Sequence, residues 1–258
     1  HQKHCNRKFL SSQEQKTLME INGIFVQGEG KILFVHGAGL NSNIWKNQLN
    51  LGYAVDLPGH GKSVDREIKS LKDYAEILIE VVERLETPII AGHSMGGAVI
   101  QEYLRIGGKA DGVILISTGA RLPVNPKILE SLKRDFEGTV DKLVNWMFHK
   151  EFENKRVKKL VKEIILNTGA EITLRDFVLC SKFDLTKYYL SSEIDVPVLI
   201  MVGNEDVMTP PFLSEFLREK LSKSKLSVVH NAGHMVFLEK PNETNIILRE
   251  FLKDVLNS

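Results

Sequence analysis

Short apolar runs recur along both halves of the chain and alternate with longer amphipathic segments. The runs of strand length lie at residues 31–35, 53–56, 88–91, 112–117, 196–202 and 226–229. Apolar runs without polar alternation are typical of strands that are buried on both faces of a parallel sheet. Residues 70–86 carry apolar side chains spaced three and four apart, which predicts a crossover helix. The pattern therefore predicts an α/β protein with an open, mostly parallel sheet and flanking helices.

The ends of the chain add less regular elements. Residues 18–26 alternate loosely between apolar and polar positions and predict one further strand. Residues 246–256 form an amphipathic pattern that predicts a closing helix.

The alternation of strands and helices stops between residues 119 and 193. Two apolar stripes at helical spacing predict two or three amphipathic helices in this stretch, and no strand. A helical insertion at this place in an α/β fold is a natural lid over a site. We expect residues 1–119 and 194–258 to form one α/β core, with residues 120–193 inserted as a helical cap.

Composition narrows the classes of partner and compartment. The 34 basic and 33 acidic residues leave a net charge of +1, so no overall field attracts nucleic acid or an anionic membrane. Cys5 and Cys180 follow neither a disulfide framework nor a zinc spacing, and His1 and His4 lack paired ligands downstream. No apolar run approaches the ~18 residues that span a bilayer, and residues 1–17 lack a secretory apolar stretch. We expect a soluble, cytoplasmic protein, and the sequence leaves open a segment removed before His1.

One motif joins the run at residues 88–91 to a helix. Gly92 and Gly96 flank Ser94 in the spacing G-x-S-x-G, which removes the β-carbons that would collide in a sharp strand-to-helix turn. Such a turn presents the serine hydroxyl at its apex. The N–H of Met95 then lies in the first helical turn, where it has no intrahelical acceptor and can donate to a developing oxyanion. A turn of small residues is the alternative interpretation, so the motif needs support from elsewhere.

Two other loops resemble nucleotide-binding motifs but lack a required residue. Gly37-Ala38-Gly39 is followed by Ser42 where a dinucleotide fingerprint has its third glycine. Gly61-Lys62-Ser63 ends like a P-loop, but Asp56 occupies the position that demands glycine. Because the first loop follows a buried strand and exposes backbone N–H groups, the N–H of Ala38 is our candidate for a second oxyanion donor.

A serine nucleophile needs a base within hydrogen-bond reach and a carboxylate that orients this base. Asp206 and His234 both follow buried runs, so we expect them at the sheet edge that also carries Ser94. The order Ser94, Asp206, His234 matches the order of nucleophile, acid and base in this architecture. Glu205 is the alternative acid, and His93 is expected to pack on the opposite side of the turn.

Taken together, these motifs resemble the α/β-hydrolase superfamily in its branch with a helical cap, over nearly the whole chain. The motifs that carry the resemblance are His36-Gly37, residues 56–63, residues 92–97, residues 203–206 and Gly233-His234. The resemblance implies the α/β-hydrolase fold and places the acid at Asp206 rather than Glu205. It also implies that the loop histidines His36 and His60 hold loops through hydrogen bonds.

The resemblance further implies a serine hydrolase of the carboxylesterase or monoacylglycerol-lipase type that needs no cofactor or metal. We expect a small-molecule ester of short to medium acyl chain as its substrate. The same groups also suit a carbon–carbon bond hydrolase, an acyl-thioesterase or a cofactor-free perhydrolase, and a non-catalytic binding protein of this fold is the alternative from another class. Bulky apolar residues that we expect in the substrate-binding wall are Trp45, Trp146, Met208 and Met235.

Overall fold

The computed structural model describes residues 17–190 and 194–257, so His1, His4 and Cys5 lie outside the described residues. Eight strands form one sheet in the order β1-β2-β4-β3-β5-β6-β7-β8. The six strands from β4 to β8 in this order run parallel, while β1 and β2 pair antiparallel at one edge. The strands are β1 (Leu18–Ile21), β2 (Ile24–Gly28), β3 (Ile32–Val35), β4 (Gly52–Val55), β5 (Ile89–His93), β6 (Gly112–Ile116), β7 (Val198–Gly203) and β8 (Ser224–Val229).

The middle of the sheet confirms the predicted parallel architecture. Every residue of β3, β5 and β6 is buried, because helices cover both faces of these strands. The expectation of a single strand over residues 18–26 is wrong. Asn22 and Gly23 take φ angles of +50° and +81° and turn the chain into the β1–β2 hairpin. An Asn-Gly pair favours such a two-residue turn because both residues tolerate positive φ.

Helices cover the sheet and fill the interval between β6 and β7. Ser70 and Asp73 form a capping box at the start of α1, which fixes the predicted crossover helix. The helices are α1 (Leu71–Leu85), α2 (Met95–Arg105), α3 (Pro126–Arg134), α4 (Phe136–Met147), α5 (Lys155–Thr168), α6 (Ala170–Lys182), α7 (Pro211–Lys220), α8 (Val236–Glu239) and α9 (Pro241–Leu256), with short 3₁₀ helices at Ser42–Trp45 and Tyr188–Leu190. Among the described residues, no helix combines the length and apolarity needed to cross a bilayer.

Four helices, α3 to α6, make up what we call the helical insertion, where the sequence predicted two or three. Asp135 divides α3 from α4, and its carboxylate accepts a hydrogen bond from the N–H of Gly138 at 3.0 Å. Gly169, with φ of +88°, divides α5 from α6. The first apolar stripe continues past Asp135 to Phe136, so spacing alone does not reveal that break. The cap boundaries at residues 120 and 193 stay predictions.

Candidate active site

Ser94 lies in the turn between β5 and α2 and has φ of +53° and ψ of −116°. A non-glycine residue reaches such a conformation only when its surroundings determine it. Here the N–H of Ser94 donates to the carbonyl of Ile116 at 2.9 Å. The carbonyl of Ser94 accepts from the N–H of Gly97 at 2.9 Å and from the hydroxyl of Thr118 at 2.8 Å. Hydrogen bonds on both sides of the residue therefore hold the strained turn.

The glycines of the turn are required by close backbone approach. A β-carbon at Gly92 would lie 2.4 Å from backbone atoms of Gly96, and one at Gly96 would lie 2.3 Å from the carbonyl oxygen of Val35. Such contacts are too short for any side chain. The chain therefore reverses from β5 into α2 only with this spacing of glycines.

Asp206 and His234, which the sequence placed after β7 and β8, are joined by a hydrogen bond. Nδ1 of His234 donates to Oδ2 of Asp206 at 2.8 Å, and both side chains are buried. The carboxylate also accepts from the N–H of Met208 at 2.9 Å, and from both the N–H and the hydroxyl of Thr209 at 2.8 Å. Burial alone would raise the pKa of Asp206, but His234 and the two donors of Thr209 outweigh it and lower the pKa, so the carboxylate is ionised at neutral pH.

Glu205, the alternative acid, points elsewhere. Its partly exposed carboxylate pairs with Nε2 of the buried His149 at 2.9 Å. The structure thus brings Asp206, and not Glu205, to His234. Thr209 is a member of this cluster that sequence reasoning missed; its oxygen lies 3.1 Å from Nδ1 of His234.

The loop that carries His234 is held by two further groups. Nε2 of His93 donates to the carbonyl oxygen of His234 at 2.9 Å. The buried carboxylate of Glu239 accepts from the N–H of Gly233 at 2.9 Å and from the N–H of His149 at 2.6 Å. Burial raises the pKa of Glu239, although these donors partly oppose the rise. The sequence analysis also missed Glu239. The only sign of its role in the sequence is that this carboxylate directly follows the apolar residues 235–238.

The loop after β3 brings Ala38 to the site. His36 fixes this loop, since its Nε2 accepts from the N–H of Leu57 at 3.0 Å and its Nδ1 donates to the carbonyl of Gly37 at 2.8 Å. Burial lowers the pKa of His36 to about 3, so the ring is neutral. In the described part of the chain, the N–H groups of Ala38 and Met95 have no protein acceptor.

A cavity of about 380 Å³ opens beside Ser94, between the sheet edge and the helical insertion. Ser94 and His234 both line it, although no hydrogen bond joins their side chains among the described residues. Its wall is largely apolar and contains no Asp, Glu, Lys or Arg. The lining residues are Gly37, Ala38, Leu40, His93, Ser94, Leu122, Pro123, Val124, Asn125, Ile128, Trp146, Met147, Phe177, Cys180, Val207, Met208, Thr209 and His234.

Of the four residues expected in the substrate-binding wall, Trp146 and Met208 line this cavity, whereas Trp45 and Met235 do not. Trp45 is fully buried in the core and stacks on Phe237 with ring centroids 4.2 Å apart. Met235 is also fully buried, and its N–H donates to the carbonyl of Met147 at 3.1 Å. The expectation that Trp45 and Met235 line the substrate-binding wall is therefore wrong. Both residues are close to the candidate site in the sequence, but their side chains turn into the core beneath the cavity.

Comparison with known proteins agrees with the fold. Residues 32–245 match the model of the alpha/beta hydrolase family, and the chain belongs to this family. It is 28% identical to the AB hydrolase superfamily protein YisY of Bacillus subtilis, over 94% of this chain and 98% of that protein. It is also 28% identical to a pimeloyl-(acyl-carrier protein) methyl ester esterase of Neisseria meningitidis, over 88% of this chain and 78% of that protein. A solved structure of a thermophilic esterase superposes with a TM-score of 0.85 at 35% identity, over 93% of this chain and 98% of that one.

Proposed function

We propose that the protein is a serine hydrolase that cleaves carboxylic esters of short to medium acyl chain through an acyl-enzyme on Ser94. The observation that carries this proposal is the buried, hydrogen-bonded pair of Asp206 and His234 at the cavity that Ser94 also lines. The similarity to a thermophilic esterase at 35% identity supports an ester as substrate.

The first half of the proposed reaction forms the acyl-enzyme. Oγ of Ser94 attacks the ester carbonyl carbon while Nε2 of His234 takes the hydroxyl proton. Asp206 keeps the proton on Nδ1 and stabilises the imidazolium cation. The N–H groups of Ala38 and Met95 donate to the oxyanion. The hydroxyl of Ser94 turns toward His234 when substrate binds, since catalytic hydrogen bonds often tighten only in the complex.

The second half releases both products. The carbon–oxygen bond to the alcohol breaks as His234 returns its proton to the leaving oxygen. Water then loses a proton to His234 and attacks the acyl carbon. As this second intermediate collapses, the bond from the acyl carbon to Oγ of Ser94 breaks and His234 returns its proton to Oγ, which frees the carboxylic acid and restores the hydroxyl of Ser94.

The character of the cavity supports an uncharged acyl group. Its volume of about 380 Å³ falls in the range of small-molecule sites, and its wall offers no charged side chain to pair with an ionised substrate. Burial lowers the pKa of His93 well below its usual range, so this histidine also stays neutral. An apolar acyl chain is thereby favoured over a dicarboxylate or a phosphorylated substrate.

The test compares wild type with Ser94→Ala on nitrophenyl acetate, butyrate, octanoate and laurate, and on acyl-thioesters of the same chain lengths. We expect turnover that favours the esters and peaks between butyrate and octanoate, and a fluorophosphonate probe that labels wild type alone. Preference for thioesters would favour the acyl-thioesterase alternative. Labelling that persists in Ser94→Ala would place the nucleophile elsewhere, and a wild type without turnover or labelling would favour a binding protein.

A further inference from the structure

Asp176 lies on α6 of the helical insertion and is completely buried. Its carboxylate accepts a hydrogen bond from the N–H of Gly39 at 2.9 Å, from Nε2 of His60 at 2.8 Å and from the hydroxyl of Tyr74 at 2.8 Å. These donors belong to the loop after β3, the loop after β4 and α1 of the core. One side chain of the insertion therefore binds three separate segments of the core.

The contact between Asp176 and His60 is an ion pair. Both ring nitrogens of His60 face acceptors, because Nδ1 lies 3.1 Å from the carbonyl oxygen of Pro58. Only a doubly protonated ring donates at both positions. Burial alone would lower the pKa of His60, but the Asp176 carboxylate outweighs it and raises the pKa. Burial alone would raise the pKa of Asp176, but the His60 cation outweighs it and lowers the pKa.

Arg175, the neighbour of Asp176, strengthens the same junction. Its guanidinium donates to the hydroxyl of Tyr74 at 3.0 Å, to the carbonyl of Pro58 at 2.9 Å and to the carboxylate of Asp65 at 2.9 Å. Asp65 is half exposed, so its pair with Arg175 lies at the outer end of the cluster. The cluster thus contains a buried inner pair, Asp176 with His60, and a more exposed outer pair, Arg175 with Asp65.

The bond to Gly39 reaches the catalytic side of the molecule. Gly39 has φ of +68° and directly follows Ala38, whose N–H is the candidate oxyanion donor. Thr173, one helical turn before Asp176, covers Gly39 so closely that a β-carbon there would lie 3.1 Å from its side chain. The side chains of Asp176 and Thr173 therefore determine how the loop runs immediately after Ala38.

We propose that Asp176 is a positioning residue, which holds the loop of residues 37–40 so that the N–H of Ala38 faces the oxyanion of the substrate. Asp176 does not line the cavity, so it acts through Gly39 and not by contact with the substrate. The inference rests on the proposed function, since it assigns a cause to the geometry of the proposed oxyanion donor. It also makes the helical insertion part of the catalytic framework, in addition to being a wall of the cavity.

The kinetic consequence differs from that of a purely structural contact. An oxyanion donor interacts with charge that exists only in the transition state, so its misplacement lowers kcat and leaves KM nearly unchanged. Asp176→Asn keeps the size of the side chain but removes its charge and one of its acceptor atoms. We expect kcat to fall about 10- to 100-fold, short of the ~10²- to 10³-fold cost of losing an oxyanion donor outright.

The experiment compares wild type, Asp176→Asn and the control Asp65→Asn with nitrophenyl butyrate. The control removes the outer ion pair of the same cluster without touching Gly39, and we expect its kcat within 2-fold of wild type because Asp65 neither lines the cavity nor contacts the loop of residues 37–40. A trifluoromethyl ketone, which adds to Ser94 and forms an oxyanion, should bind Asp176→Asn more weakly in proportion to kcat/KM. The corresponding unreactive alcohol should bind both proteins equally.

If Asp176→Asn does not fold, His60→Gln is measured in the same way, because it keeps an N–H donor but removes the cation, and the same pattern is expected. Unchanged kcat, or an equal loss of affinity for ketone and alcohol, overturns the inference while an active wild type leaves the proposed function standing. A wild type that neither hydrolyses esters nor binds the ketone refutes the proposed function and this inference with it.

Discussion

The ring of His93 donates from Nε2 to the carbonyl oxygen of His234 at 2.9 Å, and the two ring centroids lie 4.6 Å apart. The residue before the candidate nucleophile is thus bound to the backbone of the candidate base. Nδ1 of His93 is buried without a partner among the described residues, which places the proton of the neutral ring on Nε2. One side chain therefore sets the spacing between the end of β5 and the loop after β8.

His93→Phe tests this contact. Phenylalanine fills the ring site but cannot donate, so the buried carbonyl of His234 loses its partner. We expect the free energy of unfolding to fall by about 1–3 kcal/mol, with a lower kcat because His234 is less well placed. Urea denaturation and ester kinetics measure the two effects, and equal stability of variant and wild type would contradict the expected role.

Asp206→Asn tests the orientation of His234. An amide can donate to Nδ1, which moves the ring proton to Nε2 and leaves no base for Ser94. We expect kcat to fall about 10⁴-fold, the loss that this substitution causes in established Ser-His-Asp triads. Glu205→Gln is the matched control, since this neighbouring carboxylate pairs with His149 and not with His234. If both variants lose the same activity, the assignment of the acid is wrong.

Trp146→Ala tests the outer wall of the cavity. The indole lines the cavity and is 44% exposed, so its loss removes contact with a long acyl chain at little cost in stability. We expect KM for nitrophenyl octanoate to rise about 10-fold, equivalent to roughly 1.4 kcal/mol of apolar contact, with KM for the acetate unchanged. Phe212→Ala, an exposed aromatic residue outside the cavity wall, should leave both values unchanged. A uniform rise for all chain lengths would argue against acyl binding at Trp146.

The buried histidines predict how stability depends on pH. Burial lowers the pKa of His36 to about 3, and it lowers the pKa of His93 well below the usual value, so the unfolded chain binds more protons below pH ~6.5. The contribution of His36 and His93 to the free energy of unfolding is therefore present above that pH and is lost as the pH falls. His60 has the opposite shift, so its contribution is already complete below pH ~6.5 and does not oppose this loss.

His36→Gln isolates one of these histidines, because the amide oxygen still accepts from the N–H of Leu57. Between pH 6.5 and 4.5, each neutral buried histidine contributes a slope of up to about 1.4 kcal/mol per pH unit. Urea denaturation across this range measures how the free energy of unfolding changes with pH. We expect the slope of the variant to be smaller by up to about 1.4 kcal/mol per pH unit, which corresponds to one proton. Identical slopes would show that His36 is not held neutral in the fold.

The sequence by itself determined the parallel sheet and the turn at Ser94. Both depend on neighbours in the chain: buried strands need unbroken apolar runs, and a sharp turn needs glycines at fixed spacing. It also placed Asp206 and His234 at the same sheet edge, since carboxyl ends of parallel strands meet there. Other local signals were misread: Asn22-Gly23 splits a strand pattern into a hairpin, and Asp135 and Gly169 divide the helices of the insertion.

The tertiary structure decided what depends on partners that are distant in the chain. Asp176 and His60 are 116 positions apart, and no periodicity on either segment reveals that they form a buried pair. Asp176 lies in a buried stripe on α6 with Thr173, Phe177 and Cys180. A carboxylate at such a position indicates that a buried partner compensates its charge, but the sequence does not identify that partner. Likewise, only packing decided that Trp45 enters the core while Trp146 borders the cavity. Local spacing fixes where the backbone turns, whereas the direction and partner of each side chain depend on segments that meet only when the chain folds.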